Sequence, residues 1–133
     1  MGAAAYIVLE KQLPGLLNMP DGKALSRADH VLTPLARQIG VKPLMDFFSM
    51  AREDYVANAE QFNIPLDPEG PPEEQWFPAA EGLLTVRSLI RHVEAHPEAL
   101  EAPGRVLDDL RDFADVLEEA EKNGVRWHLG VDY

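Results

Sequence analysis

The sequence predicts a mainly α protein: a compact bundle of about five helices, with a small two-stranded antiparallel ribbon that pairs the N- and C-terminal segments. Two observations lead to this fold class. Apolar residues recur at intervals of three and four along most of the chain, which is the spacing of one helix face. Short β-branched and aromatic runs occur at the two ends. The length of 133 residues and the even composition indicate one domain, residues 1–133.

The two terminal segments have the character of strands. Residues 5–10 read Ala-Tyr-Ile-Val-Leu-Glu, which is too short and too β-branched for a stable helix. In residues 125–133 apolar side chains alternate with polar or small ones, as in a half-buried strand. Because a two-stranded ribbon is marginal alone, we expect the helices to pack on its apolar face.

The first helices are interrupted by proline. An apolar stripe runs from Leu25 to Ile39, with Pro34 inside it. Either the helix kinks at Pro34, or Thr33 caps a second short helix that begins with this proline. Pro43 then opens another short helix, and Ser49 is a candidate cap for the next one. The buried side predicted for that helix consists of Tyr55, Val56, Ala59 and Phe62.

Two longer helices follow. The first has its stripe between Leu83 and Val93 and ends before Pro97, which disfavours helical geometry at the residue before it. The second is the clearest in the chain and is closed by Asn123-Gly124. Its stripe consists of Val106, Leu110, Phe113, Leu117 and Ala120.

Composition limits the classes of function. Twenty-three acidic and twelve basic residues give a net charge of −11, which opposes binding to nucleic acid or to anionic membranes and favours basic partners. Solubility alone also explains such a charge. There is no cysteine, hence no disulfide, and the longest apolar run is short, so we expect a cytoplasmic protein.

The acidity is concentrated in one stretch. Between Arg52 and Arg87 there are eight acidic residues and no lysine, arginine or histidine. Residues 63–78 include five prolines and predict an acidic proline-rich loop. A rigid acidic loop that presents aromatic side chains suits recognition of a basic protein, although the aromatics could instead fold back into the core. The partner-binding residues predicted there are Glu69, Glu73, Glu74, Trp76 and Phe77.

Carboxylates on the last helix suggest an alternative. Residues 108–112 read DDxxD, which resembles the magnesium-binding motif of prenyl-transferring and terpene synthases, and the neighbouring acidic pairs are similar to those of all-helical nucleotide pyrophosphohydrolases. This resemblance implies Mg²⁺ ligands at Asp108, Asp112 and Asp115. These residues point away from the predicted core stripe, whereas metal ligands of helical bundles project inward. A metal site would therefore need a second protomer.

His92 and His96 are spaced to share a zinc ion on one helix face, but HVEAH is not the HExxH order of zinc proteases. Histidines at the edge of a helix near its C-terminus explain the pattern equally well. The chain also lacks the phosphate-binding and dinucleotide-binding glycine motifs. We therefore predict no cofactor and no catalytic residue, with these histidines and the aspartates above as the only metal alternatives.

The sequence resembles no known family over its length. The leading hypothesis is a non-enzymatic protein-interaction module that binds a basic partner, for instance in an immunity- or inhibitor-like role. One alternative is a Mg²⁺-dependent hydrolase of phosphorylated small molecules that uses acids of the last helix. A self-associating structural protein, such as a homodimer, is the other.

Overall fold

The computed structural model describes residues 4–13, 22–65 and 73–132. Within these residues the predicted fold is confirmed: five α-helices accompany one antiparallel pair of strands. None of the helices in the described residues is long and apolar enough to cross a membrane. In chain order the elements are β1 (Ala4–Leu9), α1 (Lys23–Arg27), α2 (Asp29–Ile39), a 3₁₀ turn (Leu44–Phe47), α3 (Arg52–Gln61), α4 (Ala79–Ala95), a second 3₁₀ turn (Pro97–Ala99), α5 (Pro103–Lys122) and β2 (Trp127–Asp132).

The strands of the ribbon come from opposite ends of the described chain. Leu9 pairs with Trp127 and Ile7 pairs with Leu129, so the apolar residues of both strands share a face. Trp127 is fully buried there, stacked on Phe47 at 4.9 Å between ring centroids. The half-buried strand predicted for residues 125–133 needs one correction, because His128 and Gly130 on the other face are buried as well.

Helices α4 and α5 form the centre of the core. Their predicted stripes are buried, and the two helices pack along each other. Arg87 and Arg111 reach across this pair to Glu118 and Glu94, at 3.4 and 3.5 Å between nitrogen and oxygen. These ion pairs are about half exposed, so burial of the stripes contributes far more to stability.

Gly82 allows α4 to approach the ribbon closely. A Cβ atom at this position would overlap the Trp127 indole ring. Only glycine therefore lets the helix backbone lie against the largest side chain of the core. This contact fixes the ribbon against the bundle.

Of the two sequence alternatives for the first helices, the one in which Thr33 caps a second helix is wrong. The helix breaks at Ala28, between α1 and α2, and Pro34 lies inside an uninterrupted α2. Thr33 does not cap a helix, since its hydroxyl donates to the Asp29 carboxylate one turn earlier at 2.7 Å. The proline removes one donor from the interior of α2, yet the buried stripe of the helix continues through Leu35.

The prediction for α3 is also wrong in two respects. Ser49 is not its cap: Ala51 precedes the helix, and the buried Ser49 hydroxyl accepts a hydrogen bond from the Gln75 backbone at 2.8 Å. Of the four apolar residues predicted to be buried, only Ala59 is, and Phe62 is 62% exposed. Tyr55 and Val56 are partly buried, so within the described residues it is mainly the C-terminal end of this side of α3 that is left uncovered.

Candidate functional site

The end of the predicted acidic loop, residues 73–78, is attached to the outer edge of β2. The Phe77 amide donates to the Trp127 carbonyl at 2.8 Å, and the Trp127 amide donates back at 2.9 Å. Beside it, the Ser49 amide donates to the Leu129 carbonyl at 3.1 Å. β2 thus lies between β1 on one edge and these two short segments on the other. The backbone of the loop end is held by hydrogen bonds of the fold.

Glu74 contacts a buried histidine. Its carboxylate Oε2 lies 2.8 Å from Nε2 of His128, which is only 2% exposed. The other ring nitrogen, Nδ1, lies 3.1 Å from the Leu129 carbonyl oxygen. Both ring nitrogens of His128 therefore have a polar partner within the chain. Glu74 therefore completes a buried polar network within the chain itself.

The two aromatic residues of the predicted site face inward in part. Trp76 is half-buried and lies over the His128 ring, with 4.6 Å between centroids. Phe77 packs edge-on against Phe47 at 5.2 Å, and the Lys42 ammonium lies 4.2 Å from its ring centre. The aromatics fasten the loop end to the ribbon rather than standing free in solvent.

The remaining acidic residues of the predicted site differ in their position. Glu73 is exposed. Glu69 lies outside the described residues. The assignment of these residues to partner binding stays a prediction. In it, the exposed carboxylate of Glu73 is accessible to a partner, whereas the carboxylate of Glu74 already contacts His128.

Around α3 the structure shows an exposed surface that is both acidic and apolar. Glu53 and Glu60 lie two turns apart on the same side of the helix and are exposed. Phe62 and Ile64, just beyond its end, are 62% and 58% exposed. We call Glu53, Glu60, Phe62 and Ile64, together with the exposed Glu73, the acidic surface. Among the described residues, none of its carboxylates forms an ion pair.

The carboxylates of α5 have two different roles. Asp108, Asp112 and Asp115 are exposed, as the helical geometry predicts. Asp109 instead accepts hydrogen bonds from the Ala24 and Leu25 amides at 3.0 and 3.2 Å, and so supplies the N-terminus of α1 with the acceptor that this helix lacks locally. The sequence did not predict this role, although the buried residues Val106 and Phe113 lie three positions before and four positions after Asp109 on the same helix.

The metal alternatives find no site in the described part of the chain. No group of three or more histidine, cysteine, aspartate or glutamate residues there is placed to hold a metal ion. The rings of His92 and His96 lie against each other, tilted by 40° with 4.7 Å between centroids, and His96 Nδ1 lies 3.5 Å from a Glu98 carboxylate oxygen. The hydrolase alternative stays a prediction that needs a second protomer over the outer face of α5.

A cavity of about 590 Å³ is a feature that the sequence did not indicate. It lies between α1 and the start of α2 on one side, and the second 3₁₀ turn and the start of α5 on the other. Its lining combines small and branched apolar side chains with the basic groups of Lys23, Arg27, His30 and Arg105. Arg105 is far from the other three in sequence, and only the packing of α1 against α5 brings it to the same cavity.

Comparison with protein-family models, with curated proteins and with solved structures yields no match for this chain. The structure itself therefore supplies the two candidate functional sites, which are the acidic surface and the cavity.

Proposed function

We propose that this protein is an interaction domain that binds a basic protein partner through the acidic surface. The observation that carries the proposal is the exposure of Phe62 and Ile64 at the end of a helix whose exposed Glu53 and Glu60 form no ion pair within the described residues. Apolar anchors supply most of the affinity of such interfaces, and uncompensated charge steers the partner and selects its sign.

The weak attachment of α3 supports this assignment. The helix buries only Ala59, so its apolar residues contribute little to the core of the chain itself. Exposed aromatic and branched side chains are costly to keep in water, and burial against a partner removes that cost. A partner with a basic rim around an apolar groove matches both features.

The test is an affinity capture from the cells that make the protein, followed by direct binding with the purified partner. A charge-reversal variant, Glu53→Lys with Glu60→Lys and Glu73→Lys, is compared with a control of equal charge change on α5. The control carries Asp112→Lys, Asp115→Lys and Glu121→Lys, all at exposed positions.

We expect the α3 variant to lose the partner and the α5 control to retain it. A second variant, Phe62→Ser with Ile64→Ser, leaves the charge intact and should weaken direct binding by about tenfold or more, because it removes the anchors. Binding of the purified partner should also weaken as salt is raised. If the α3 variant and the α5 control lose the partner equally, the attraction depends only on total charge. If all variants still bind the partner, the interface lies elsewhere. Either outcome contradicts the proposal.

A further inference from the structure

The cavity beside α1 has the size and shape of a small-molecule site. Its volume of about 590 Å³ lies within the range of about 300–1,000 Å³ that such sites occupy in proteins. None of the residues of the acidic surface lines it. The cavity is therefore an independent feature, and its function does not depend on the proposed protein interface.

The inner part of the cavity is apolar. Ala28, Leu100 and Val106 are buried side chains in its lining, and Val31 is partly buried beside them. Apolar walls of this kind gain free energy by excluding water when an apolar group enters. They supply no hydrogen-bonding side chain to the inner part of a ligand.

The charged residues of the lining are mostly exposed, and basic residues are enriched among them. Three of the twelve lysine and arginine residues line the cavity, together with His30, against three of the twenty-three acids. One of those acids, Asp109, already accepts hydrogen bonds from the Ala24 and Leu25 amides. The formal charges of the lining balance: Lys23 and Asp109 both have interactions within the chain, and the exposed Glu101 and Asp108 line the cavity together with Arg27 and Arg105.

Two guanidinium groups are available at the cavity. Arg27 from α1 and Arg105 from α5 both line it and are exposed, and within the described residues neither forms an ion pair. Guanidinium groups bind carboxylates and phosphates through paired, charge-assisted hydrogen bonds. Both guanidinium groups can donate hydrogen bonds to an anionic head group at the edge of the apolar cavity, in competition with the exposed carboxylates of Glu101 and Asp108 in the same lining.

We propose that this cavity binds a small amphipathic anion. Its apolar body lies against Leu100 and Val106, and its carboxylate or phosphate is bound by Arg27 and Arg105. The apolar part provides burial and the arginines provide orientation and selectivity for charge. The class of ligand follows from this pairing of an apolar interior with basic groups at its edge.

Four probes with the same ten-carbon apolar chain test the proposal: undecanoate, decyl phosphate, decanol and decyltrimethylammonium, each titrated into the purified protein below micelle formation. We expect one of the two anions to bind at least about tenfold more tightly than decanol, since a charge-assisted hydrogen bond contributes that much or more. The tighter anion identifies the head group as carboxylate or phosphate. Equal binding of decanol, tightest binding of the cation, or no binding of any probe would overturn the proposal.

Matched variants locate the binding. Arg27→Ala with Arg105→Ala should weaken binding of the tighter-binding anion by about tenfold or more and leave binding of decanol unchanged. The control, Arg37→Ala with Arg91→Ala, removes two exposed arginines that do not line the cavity and should bind as wild type does. Should the arginine variant not fold, Val31→Trp fills the cavity instead and should abolish binding of the anion. If the double arginine variant, or Val31→Trp in its place, binds the anion as tightly as the wild type does, the proposed site is wrong.

Discussion

Trp127 on the terminal ribbon and Phe62 at the end of α3 both occupy positions that the sequence pattern predicts to be buried, yet the first is fully buried and the second is 62% exposed. The difference lies in what faces them. Trp127 meets Gly82 of α4, the ring of Phe47 and the backbone of Phe77. Phe62 has no comparable cover from the part of the chain that the structure describes.

The comparison of Trp127 with Phe62 shows that an apolar pattern in the sequence and burial in the structure are different properties. Periodicity tells which side of an element is apolar, but burial needs a second surface that fits against it. In the ribbon that surface comes from within the chain. In α3 most of it is absent from the described residues, which is why we assign it to a partner.

The largest effect that the comparison predicts is for Trp127→Ala. Trp127 Nε1 has no hydrogen-bond partner in the described structure, so this side chain contributes through packing rather than polar contacts. We expect a loss of about 3–5 kcal/mol in the free energy of unfolding, because a large cavity would remain beside Gly82. Chemical denaturation measures it, with the half-buried Trp76→Ala as control. A cost no larger than that of the control would show that the two regions do not differ as described.

A smaller effect is expected at Asp109, which joins α5 to α1. Replacing it by alanine removes the acceptor of two backbone amides of α1 and should cost about 1 kcal/mol. The exposed Asp112→Ala, one turn along the same helix, should change stability by less than about 0.5 kcal/mol. Equal values for the two variants, measured by denaturant titration, would contradict the capping role.

The outer end of the ribbon provides a weaker, pH-dependent contribution. The Arg126 guanidinium donates to both carboxylate oxygens of Glu10, at 2.7 and 2.8 Å, and this contact lowers the pKa of Glu10 from its ordinary value of 4.5. The stabilisation is therefore complete above that value and is lost as the pH falls through the lower pKa of the folded protein. Both groups contact solvent, so the effect is small and screened by salt.

We expect acidification from about pH 6 to about pH 3 to lower the melting temperature of the wild type slightly more than that of Glu10→Gln. Thermal melting of the two proteins across this range, at low and at high salt, measures the difference. An identical pH dependence at low salt would show that the ion pair does not stabilise the ribbon.

The smallest effect completes the comparison. Replacing both Phe62 and Ile64 by serine should change the free energy of unfolding by less than about 0.5 kcal/mol, because neither side chain is buried. The same change at the fully buried Phe113 should cost several kcal/mol. A loss above about 1 kcal/mol in the double serine variant would mean that these residues pack against the chain, and would remove the basis for the proposed interface.

Much of the fold was predictable because it depends on local spacing. The stripes of α4 and α5 follow helical periodicity, and two β-branched ends with no other strand candidate had to pair with each other. What the spacing did not predict depends on contacts between elements. The N-terminus of α1 depends on Asp109, a residue distant in sequence, and the exposure of Phe62 depends on the absence of an opposing surface among the described residues.

The candidate sites were less predictable than the fold. Concentration of acidic residues between Arg52 and Arg87 is a property of the sequence, and it pointed to the stretch that includes the acidic surface. The inward orientation of Glu74 was not readable, because the sequence pattern placed His128 on the polar face of β2. Two faces of one strand can both be buried only when another segment covers the second face, and here residues 73–78 do so.

By itself, the sequence determined the helical class, the ribbon, the absence of disulfides and the location of the uncompensated negative charge, since each follows from residue type or from spacing along the chain. Tertiary structure alone decided which carboxylates remain available. It directed Glu74 to His128 and Asp109 to α1, left Glu73 in solvent, and gathered Arg27 and Arg105 around a cavity. The reason is physical: hydrogen bonds and burial depend on distances between elements, which the order of residues does not specify.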